Sequence, residues 1–332
     1  MERIKRLNIY FKEMYPIVPR LGLGVMIFLE IYFIVLLNHG VGKDVLLSFH
    51  PVEGQSALYS FFVQHDILGM LICSFTVFSF LLWLRIADDF KDYELDKRLF
   101  AFRPLPSGRV TKTDLRIFAT ILISFTLVIN FLFMKNFIFC FILYTYGSLM
   151  AVWFFQKHKI AKSLPLALVT HNPVQILLNL YVISYTIMKY KLPILDITNF
   201  MAVLTLYFPA LIWEISRKIR APEEETEYVT YSKLFGYKKC VRFVFILTWV
   251  DICTNFVLVW RLSRLSVFLL FLNALWCSYC FYDYAKSPGR YRIVSKVERY
   301  TYIQESLMIL TIVGFLIFGR IYHGCLKSCL ET

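Results

Sequence analysis

Long apolar stretches separated by short polar ones dominate the pattern of residues along this chain. A helix needs about 20 mostly apolar residues to cross the ~30 Å hydrocarbon layer of a membrane. Stretches of this length occur near residues 20–39, 62–84, 115–134, 136–155, 164–187, 193–214, 241–260, 263–283 and 302–322. The pattern predicts an all-α, polytopic membrane protein, with about nine transmembrane helices in a bundle around a central cavity.

Residues 1–19 have a different pattern. Ile4, Leu7, Phe11 and Met14 recur at helical spacing among basic residues. Residues three or four apart share one face of a helix, so the segment is amphipathic. No compact apolar core followed by a small-residue cleavage site is present, which argues against a cleavable signal peptide. We expect an interfacial N-terminal helix lying on the membrane surface.

Charge adds orientation to this picture. The chain has 332 residues, 58% of them hydrophobic, and a formal net charge of +13. Its basic residues fall between apolar segments and not on a polar domain, so nucleic acid is not the expected partner. Most of the 36 Lys and Arg lie at the N-terminus and in the loops after even-numbered spans. The positive-inside rule then predicts a cytoplasmic N-terminus and an outer C-terminus, as in a protein of the bacterial inner membrane.

Four aspartates interrupt the apolar pattern within residues 85–113, a loop expected on the cytoplasmic side. If this stretch is helical, Asp88, Asp92 and Asp96 share one face, with Asp89 beside them. Carboxylates placed together repel each other unless a cation lies among them. Mg²⁺ commonly binds through one or two carboxylates together with substrate phosphates. The run therefore indicates a metal-diphosphate site, and a solvated acidic patch on a membrane loop is the plain alternative.

The residues around these aspartates resemble a known family. Residues 88–96 read Asp-Asp-Phe-Lys-Asp-Tyr-Glu-Leu-Asp, and residues 103–108 read Arg-Pro-Leu-Pro-Ser-Gly. This combination resembles the first signature of the UbiA superfamily of intramembrane prenyltransferases, NDxxDxxxD followed by RPLPSG. Asp88 stands where most members have Asn, and residues 88–92 also spell the DDxxD motif of soluble isoprenoid synthases. The resemblance implies a single domain over residues 1–332, a prenyl diphosphate donor, and Mg²⁺ held by Asp88, Asp89, Asp92 and Asp96.

A second acidic stretch occupies residues 214–240, also expected on the cytoplasmic side. Together the two stretches hold nearly half of the 23 acidic residues. Lys218 stands where the second Asp of the family's DxxxD motif is expected, while Thr230, Ser232 and Gly236 loosely resemble the end of that motif. We expect Glu214, and Glu223 folding back, to help hold a metal.

Cations beside these carboxylates suit a diphosphate. Arg pairs with phosphate oxygens in bidentate geometry, and Lys acts as a point charge. Candidate diphosphate-binding residues are Arg103, Arg217, Lys218 and Arg220, which also fit as positive-inside anchors.

Polar residues inside the spans are costly unless they face a cavity or a partner. The best candidates for an acceptor pocket are His171 and Asn172, because the following Pro173 frees backbone carbonyls. Single residues of this kind are more often packing contacts.

The pattern as a whole predicts transfer of an isoprenoid chain from its diphosphate to an aromatic, quinone-type or lipid-like acceptor. Catalysis would rest on Asp88, Asp92, Asp96 and Glu214. A terpene cyclase, a transporter and a non-catalytic scaffold of the same fold remain alternatives. A CDP-alcohol phosphotransferase is disfavoured, because its DGxxAR core is absent where Phe90 follows Asp89. Membrane lipid is an expected neighbour, and the oligomeric state is left open.

Overall fold

The computed structural model describes residues 2–41, 66–225 and 229–330, and the regular secondary structure within them is helical. Two short 3₁₀ turns, Trp153–Phe155 and Pro222–Glu224, separate helices. The α-helices, in chain order, are α1 (Glu2–Glu13), α2 (Ile17–Asn38), α3 (Ile67–Lys91), α4 (Tyr93–Leu99), α5 (Lys112–Phe133), α6 (Phe137–Ala151), α7 (Lys157–Ile160), α8 (Leu164–His171), α9 (Pro173–Tyr190), α10 (Ile197–Thr205), α11 (Tyr207–Ser216), α12 (Tyr231–Phe235), α13 (Tyr237–Val259), α14 (Arg264–Lys286) and α15 (Ile293–Leu330).

Eight candidate spans among the described residues are long and apolar enough to cross a membrane, counting α8 with α9 and α10 with α11 as one span each. The predicted all-α, polytopic membrane protein is therefore confirmed. The fourth expected span is shorter than predicted: α6 has 15 residues and ends at Ala151, because the chain turns at Trp153–Phe155. Pro173 interrupts the fifth, as expected. Residues 62–65 of the second expected span lie outside the described residues.

By its internal contacts the chain forms two compact units. The first contains residues 1–32, 45–163 and 169–191, and the second contains residues 33–44, 164–168 and 192–332. The single domain expected over residues 1–332 stays a prediction.

The core of the first unit lies where α1, α3, α5 and the loop after α4 meet. Its buried members are Tyr10, Tyr15, Phe78, Leu82, Ile86, Leu105, Val110, Leu115, Ala119 and Leu122. Leu105 and Val110 belong to the Pro-containing loop, so burying them fixes that loop against the helices. Helix α2 approaches α3 closely at Gly24, where an added Cβ would lie 2.9 Å from Phe78 Cβ.

Hydrogen bonds between buried polar side chains also join helices of the first unit. Asn130 in α5 donates to Thr76 of α3 at 2.8 Å and accepts from the Tyr181 hydroxyl of α9 at 2.7 Å. In an apolar surrounding such bonds satisfy groups that would otherwise be costly to bury.

The second unit pairs α13, α14 and α15 around a buried carboxyl group. Asp251 in α13 accepts hydrogen bonds from the Tyr300 hydroxyl at 2.9 Å and from Asn255 at 3.0 Å. Asn273 of α14 donates to the carbonyl of Tyr300 at 3.0 Å. The three helices are thus tied together at one level.

Candidate active site

The first acidic stretch is two helices and not one. Helix α3 ends at Lys91, and α4 begins at Tyr93, with Asp92 between them at φ −95°, ψ 6°. Helical hydrogen bonds continue on both sides: the Asp92 N–H donates to the Asp88 carbonyl, and the Asp96 N–H donates to the Asp92 carbonyl. The continuous helix that would place Asp88, Asp92 and Asp96 on one face is therefore interrupted, and the four aspartates are divided between two environments.

Asp89 is buried and fully engaged. Its carboxylate accepts a 2.6 Å hydrogen bond from the Tyr10 hydroxyl of α1 and lies 2.8 Å from the Arg85 guanidinium. Burial, followed by the charge of Asp89, raises the pKa of Tyr10 far above its usual range, so the phenol stays protonated and donates. In this arrangement Asp89 anchors α1.

Asp96 is also buried, and Arg103 holds it at 2.7 Å. Arg103 begins the loop that resembles the RPLPSG signature. The Val110 N–H donates to the Pro104 carbonyl, the Gly108 N–H donates to the Leu105 carbonyl, and Gly108 adopts φ +77°, a value that favours glycine. The loop's stiffness and its buried Leu105 position the Arg103–Asp96 pair.

Asp88 and Asp92 remain accessible. The Asp88 side chain is 50% exposed, with the Lys91 ammonium 3.6 Å away, longer than a normal hydrogen bond. Asp92 is exposed, and within the described part of the chain its carboxylate has no ion pair or hydrogen bond. Partial loss of water, followed by the negative charge of Asp96, raises the pKa of Asp92 above its ordinary value. A carboxylate in this state is stabilised by an added cation.

Ion pairs fasten α1 beside these groups. Arg3 and Arg6 contact Asp114, which also caps α5 together with Thr111. Glu13 binds Arg109 in bidentate geometry, and this hydrogen bonding lowers the pKa of Glu13.

Most of the apolar face of α1, which was expected to meet the membrane surface, packs against the protein. Leu7, Phe11 and Met14 pack on the core of the unit, whereas Ile4 is exposed. Helix α1 ends at Glu13, before the expected boundary at residue 19, because α2 begins at Ile17 after Pro16. The N-terminal helix thus packs against the protein along most of the face predicted to meet lipid.

The donor set fits Mg²⁺ only in part. No group of three or more His, Cys, Asp or Glu side chains is arranged to hold a metal within residues 2–41, 66–225 and 229–330. Asp88 and Asp92 fit the requirement of one or two carboxylates supplemented by substrate phosphates. Asp89 and Asp96, expected as further ligands, are instead buried in pairs with Arg85 and Arg103.

His171 and Asn172 lie at the predicted helix break, where α8 ends and α9 begins. The His171 ring contacts Trp153 edge to face, with ring centroids 5.2 Å apart, and Phe154 at 6.3 Å. Asn172 Nδ2 is buried and has no hydrogen-bond partner among the described residues. The role of these residues in an acceptor pocket stays a prediction.

In the second unit, Glu214 is held on both oxygens. Arg217 lies 2.5 Å from Oε2, and Lys218 lies 2.8 Å from Oε1. The expected cations and the expected metal ligand are therefore paired with each other. Burial, followed by the nearby charge of Glu214, raises the pKa of Tyr231 to about 12, and the Tyr231 N–H donates to the Lys218 carbonyl.

Hydrogen bonds join several polar residues in the rest of the second acidic stretch. Glu225 accepts hydrogen bonds from the hydroxyls of Thr230 and Ser232, two of the three residues that resemble the end of the UbiA motif. The Arg220 N–H donates to Ser232 Oγ at 3.0 Å. Glu223 is exposed, and Glu227 lies outside the described residues. That Arg220 binds a diphosphate and that Glu223 helps to hold a metal stay predictions.

Comparisons with known proteins bear on the fold. A scan against models of protein families and a search of curated proteins give no match. A search of solved structures finds digeranylgeranylglyceryl phosphate synthase, studied in membranes, at 17% identity and a TM-score of 0.62. The match covers 94% of this chain and 99% of the other. This chain shares that fold. The fold expected from the resemblance to the UbiA superfamily is thus confirmed over nearly the whole chain.

Sequence reasoning missed three residues that complete the site in the first unit. Tyr10 lies on α1, far from the motif in sequence, and only folding brings it to Asp89. Lys91 sits inside the motif at a position the signature leaves open. The centroid of the Trp153 ring lies 4.5 Å from the Lys91 ammonium. Trp153 belongs to a turn that contains no Gly, Asn or Pro, the residues that would have predicted a turn there.

Proposed function

We propose that this protein is a Mg²⁺-dependent intramembrane prenyltransferase, which moves an isoprenoid chain from its diphosphate to a hydrophobic acceptor. The observation that carries the proposal is the pair of accessible carboxylates, Asp88 and Asp92, at the end of a membrane helix in this fold. An apolar donor tail needs the membrane, and a diphosphate needs charge at its edge. One site at a helix end meets both needs.

Charge compensation explains how the site changes on binding. Three of the four motif aspartates are paired within the ligand-free chain, each to its own cation, in the pairs Asp88–Lys91, Asp89–Arg85 and Asp96–Arg103. A diphosphate carries negative charge that Arg and Lys bind well. We infer that Arg103 shares its donors between Asp96 and a phosphate oxygen, and that Asp88 and Asp92 are the residues that would hold Mg²⁺. Mg²⁺, when bound, neutralises the diphosphate and stabilises the charge it gains on departure.

The transfer breaks one bond and forms another. The bond between C1 of the prenyl chain and the diphosphate oxygen breaks, and both electrons leave with the oxygen. A bond then forms between C1 and the acceptor nucleophile, whose proton goes to the departing diphosphate. Residues of the chain hold the diphosphate and keep water from the allylic cation, since water would quench it.

The acceptor is proposed only by class. An aromatic quinone precursor and a lipid-like alcohol both fit a site at the membrane edge. The name of the structural neighbour contains a glyceryl phosphate, which makes a phosphorylated glycerol lipid a sensible second test acceptor. We expect His171 and Asn172 to contact the acceptor. They lie beside the turn Trp153–Phe155, which His171 contacts.

The test measures diphosphate released by purified protein from geranylgeranyl diphosphate, with Mg²⁺ or with chelator. Reactions run with no acceptor, with quinone precursors, or with glycerol lipids. Asp92→Asn removes one accessible carboxylate charge, and Glu94→Gln is its matched control, because Glu94 is an exposed carboxylate two residues away. We expect release that requires Mg²⁺ and an acceptor, is lost in Asp92→Asn and persists in Glu94→Gln.

Other outcomes discriminate the alternatives. Mg²⁺-dependent release without any acceptor would indicate a cyclase, since the cation is then quenched within its own chain. No release with any donor length would contradict the proposal. It would favour a scaffold, an alternative supported by the fully paired Glu214 of the second acidic stretch.

A further inference from the structure

Lys91 occupies an unusual place for a charged side chain. It is the last residue of α3, yet its side chain is only 8% exposed. Its ammonium lies 3.6 Å from Asp88 and 4.5 Å from the centroid of the Trp153 ring. An ammonium over an indole face is held by the ring's quadrupole, and Trp is the strongest ring for this purpose. The contact marks a cation-binding ring face beside an accessible motif carboxylate.

The turn that supplies this ring is strained. Trp153, Phe154 and Phe155 adopt φ values of 54°, 48° and 58°, in the left-handed region that residues with a side chain avoid. Each such residue is held in a backbone conformation that costs free energy. Strain of this kind persists only where surrounding contacts impose it, and it concentrates at functional sites. In the imposed geometry the Trp153 ring contacts both Lys91 and His171.

Two buried N–H donors in this region have no hydrogen-bond partner in the part of the chain that the structure describes. Trp153 Nε1 is buried and has no hydrogen-bond partner among the residues described here, as is the case for Asn172 Nδ2. Both are donors. The two donors therefore keep unused hydrogen-bonding capacity beside the Lys91–Asp88 ion pair.

We propose that Lys91 binds the diphosphate of the donor and that the Trp153 face it vacates stabilises the allylic cation. This inference rests on the proposed function. An ammonium and a carbocation are both positive, so they cannot share one ring face. Lys91 must therefore leave Trp153 before the bond between C1 and oxygen breaks. A bound diphosphate, more negative than Asp88 alone, draws it away, so donor binding prepares the ring for the cation.

The test uses Mg²⁺ with inorganic pyrophosphate as probe, and it needs no turnover. Titration calorimetry gives the affinity, and tryptophan fluorescence follows Trp153 as the difference between wild type and Trp153→Phe. Lys91→Met removes the charge at similar length, and Lys91→Arg keeps it. Lys286→Met is the matched control, because Lys286 also stacks on an aromatic ring, 4.3 Å from Tyr282, and belongs to the second unit.

We expect Mg²⁺-pyrophosphate to bind wild type and to change the Trp153 emission. Lys91→Met should lose about tenfold in affinity and lose the emission change, as expected for one charge-assisted contact. Lys91→Arg and Lys286→Met should stay within about threefold of wild type. Trp153→Leu should bind pyrophosphate at least as well as wild type, because Lys91 then has no ring to leave, but it should turn over about tenfold more slowly, because the allylic cation loses its partner.

Two negative results have different meanings. If wild type binds pyrophosphate but Lys91→Met binds equally well and Trp153 emission is unchanged, this inference fails and the proposed function stands. If wild type fails to bind at every Mg²⁺ concentration, the proposed function fails and this inference fails with it. Should Lys91→Met not fold, as judged by gel filtration, the response of wild type and Lys91→Arg decides: an unchanged Trp153 emission in both overturns the inference.

Discussion

The Tyr10 hydroxyl lies 2.6 Å from the Asp89 carboxylate and joins the N-terminal helix to the aspartate motif. Tyr10 is fully buried, and Arg85 approaches the same carboxylate from within α3. A buried carboxylate needs such partners, since an unpaired one is costly. Asp89 therefore anchors α1, while Asp88 and Asp92 stay accessible.

Tyr10→Phe tests this anchor. The variant keeps the ring in the core but leaves Asp89 without one donor, so we expect the free energy of unfolding to fall by about 1–3 kcal/mol. Pyrophosphate binding should change little, because Asp88 and Asp92 are untouched. Denaturant unfolding in detergent measures the first effect and calorimetry the second. Unchanged stability would show that the hydrogen bond contributes nothing net.

Asp92→Asn should stabilise the protein while abolishing activity. The pKa of Asp92 is raised in the fold, so its favourable contribution is complete below the ordinary value of 3.8 and is lost as pH rises through the folded-state value. At neutral pH the carboxylate then opposes folding, and the neutral amide does not. The effect should be small, because water screens this exposed side chain.

Thermal unfolding at several pH values checks this prediction. The melting temperature of Asp92→Asn should exceed that of wild type near pH 7, and the difference should shrink as pH approaches 4. Glu94→Gln should show no such gain. A lower melting temperature for Asp92→Asn at pH 7 would contradict the raised pKa.

Phe155→Gly should stabilise the fold. Phe155 has φ +58° and its side chain is 77% exposed, so glycine relieves strain and loses little burial. Relief of about 1–2 kcal/mol is partly offset by the entropy of glycine, which leaves a gain of up to about 1 kcal/mol. Val152→Gly is the control, since Val152 has φ −99° and should lose stability. Equal losses in both variants would argue against strain at Phe155.

Glu214→Gln tests the second acidic stretch. Because Arg217 and Lys218 occupy both carboxylate oxygens, we expect Glu214 to position these cations rather than to hold metal. The variant should raise the KM for a prenyl diphosphate about tenfold through lost charge-assisted contacts. The Mg²⁺ concentration for half-maximal activity should not move. A shifted Mg²⁺ requirement would instead make Glu214 a metal ligand, and Glu94→Gln, at an exposed carboxylate, serves as the control.

Features that depend on local pattern could be predicted from the sequence. The apolar stretches predict the membrane helices, Pro173 predicts the break between α8 and α9, and the repeat of Leu7, Phe11 and Met14 predicts the apolar face of α1. These follow from periodicity and from the chemistry of proline. The resemblance of residues 88–108 correctly led to the fold.

Features that depend on residues far apart in the sequence could not be predicted from it. The pairing of Arg6 with Asp114 joins residues that only tertiary structure brings together. The interruption at Asp92 has no Gly or Pro to announce it, and burial of Asp96 against Arg103 separates carboxylates that helical spacing would group. The left-handed turn that begins at Trp153 shortens α6 against its hydropathy, because its surroundings override local preference.

The internal pairing of the motif carboxylates also has a consequence for how the protein is made. Burying acidic groups that have no cations of their own is costly, and in small zinc domains the metal ion compensates that cost. Here Arg85 and Arg103 already neutralise the two buried aspartates. We therefore expect membrane insertion and purification to proceed in the presence of a chelator, without added divalent metal.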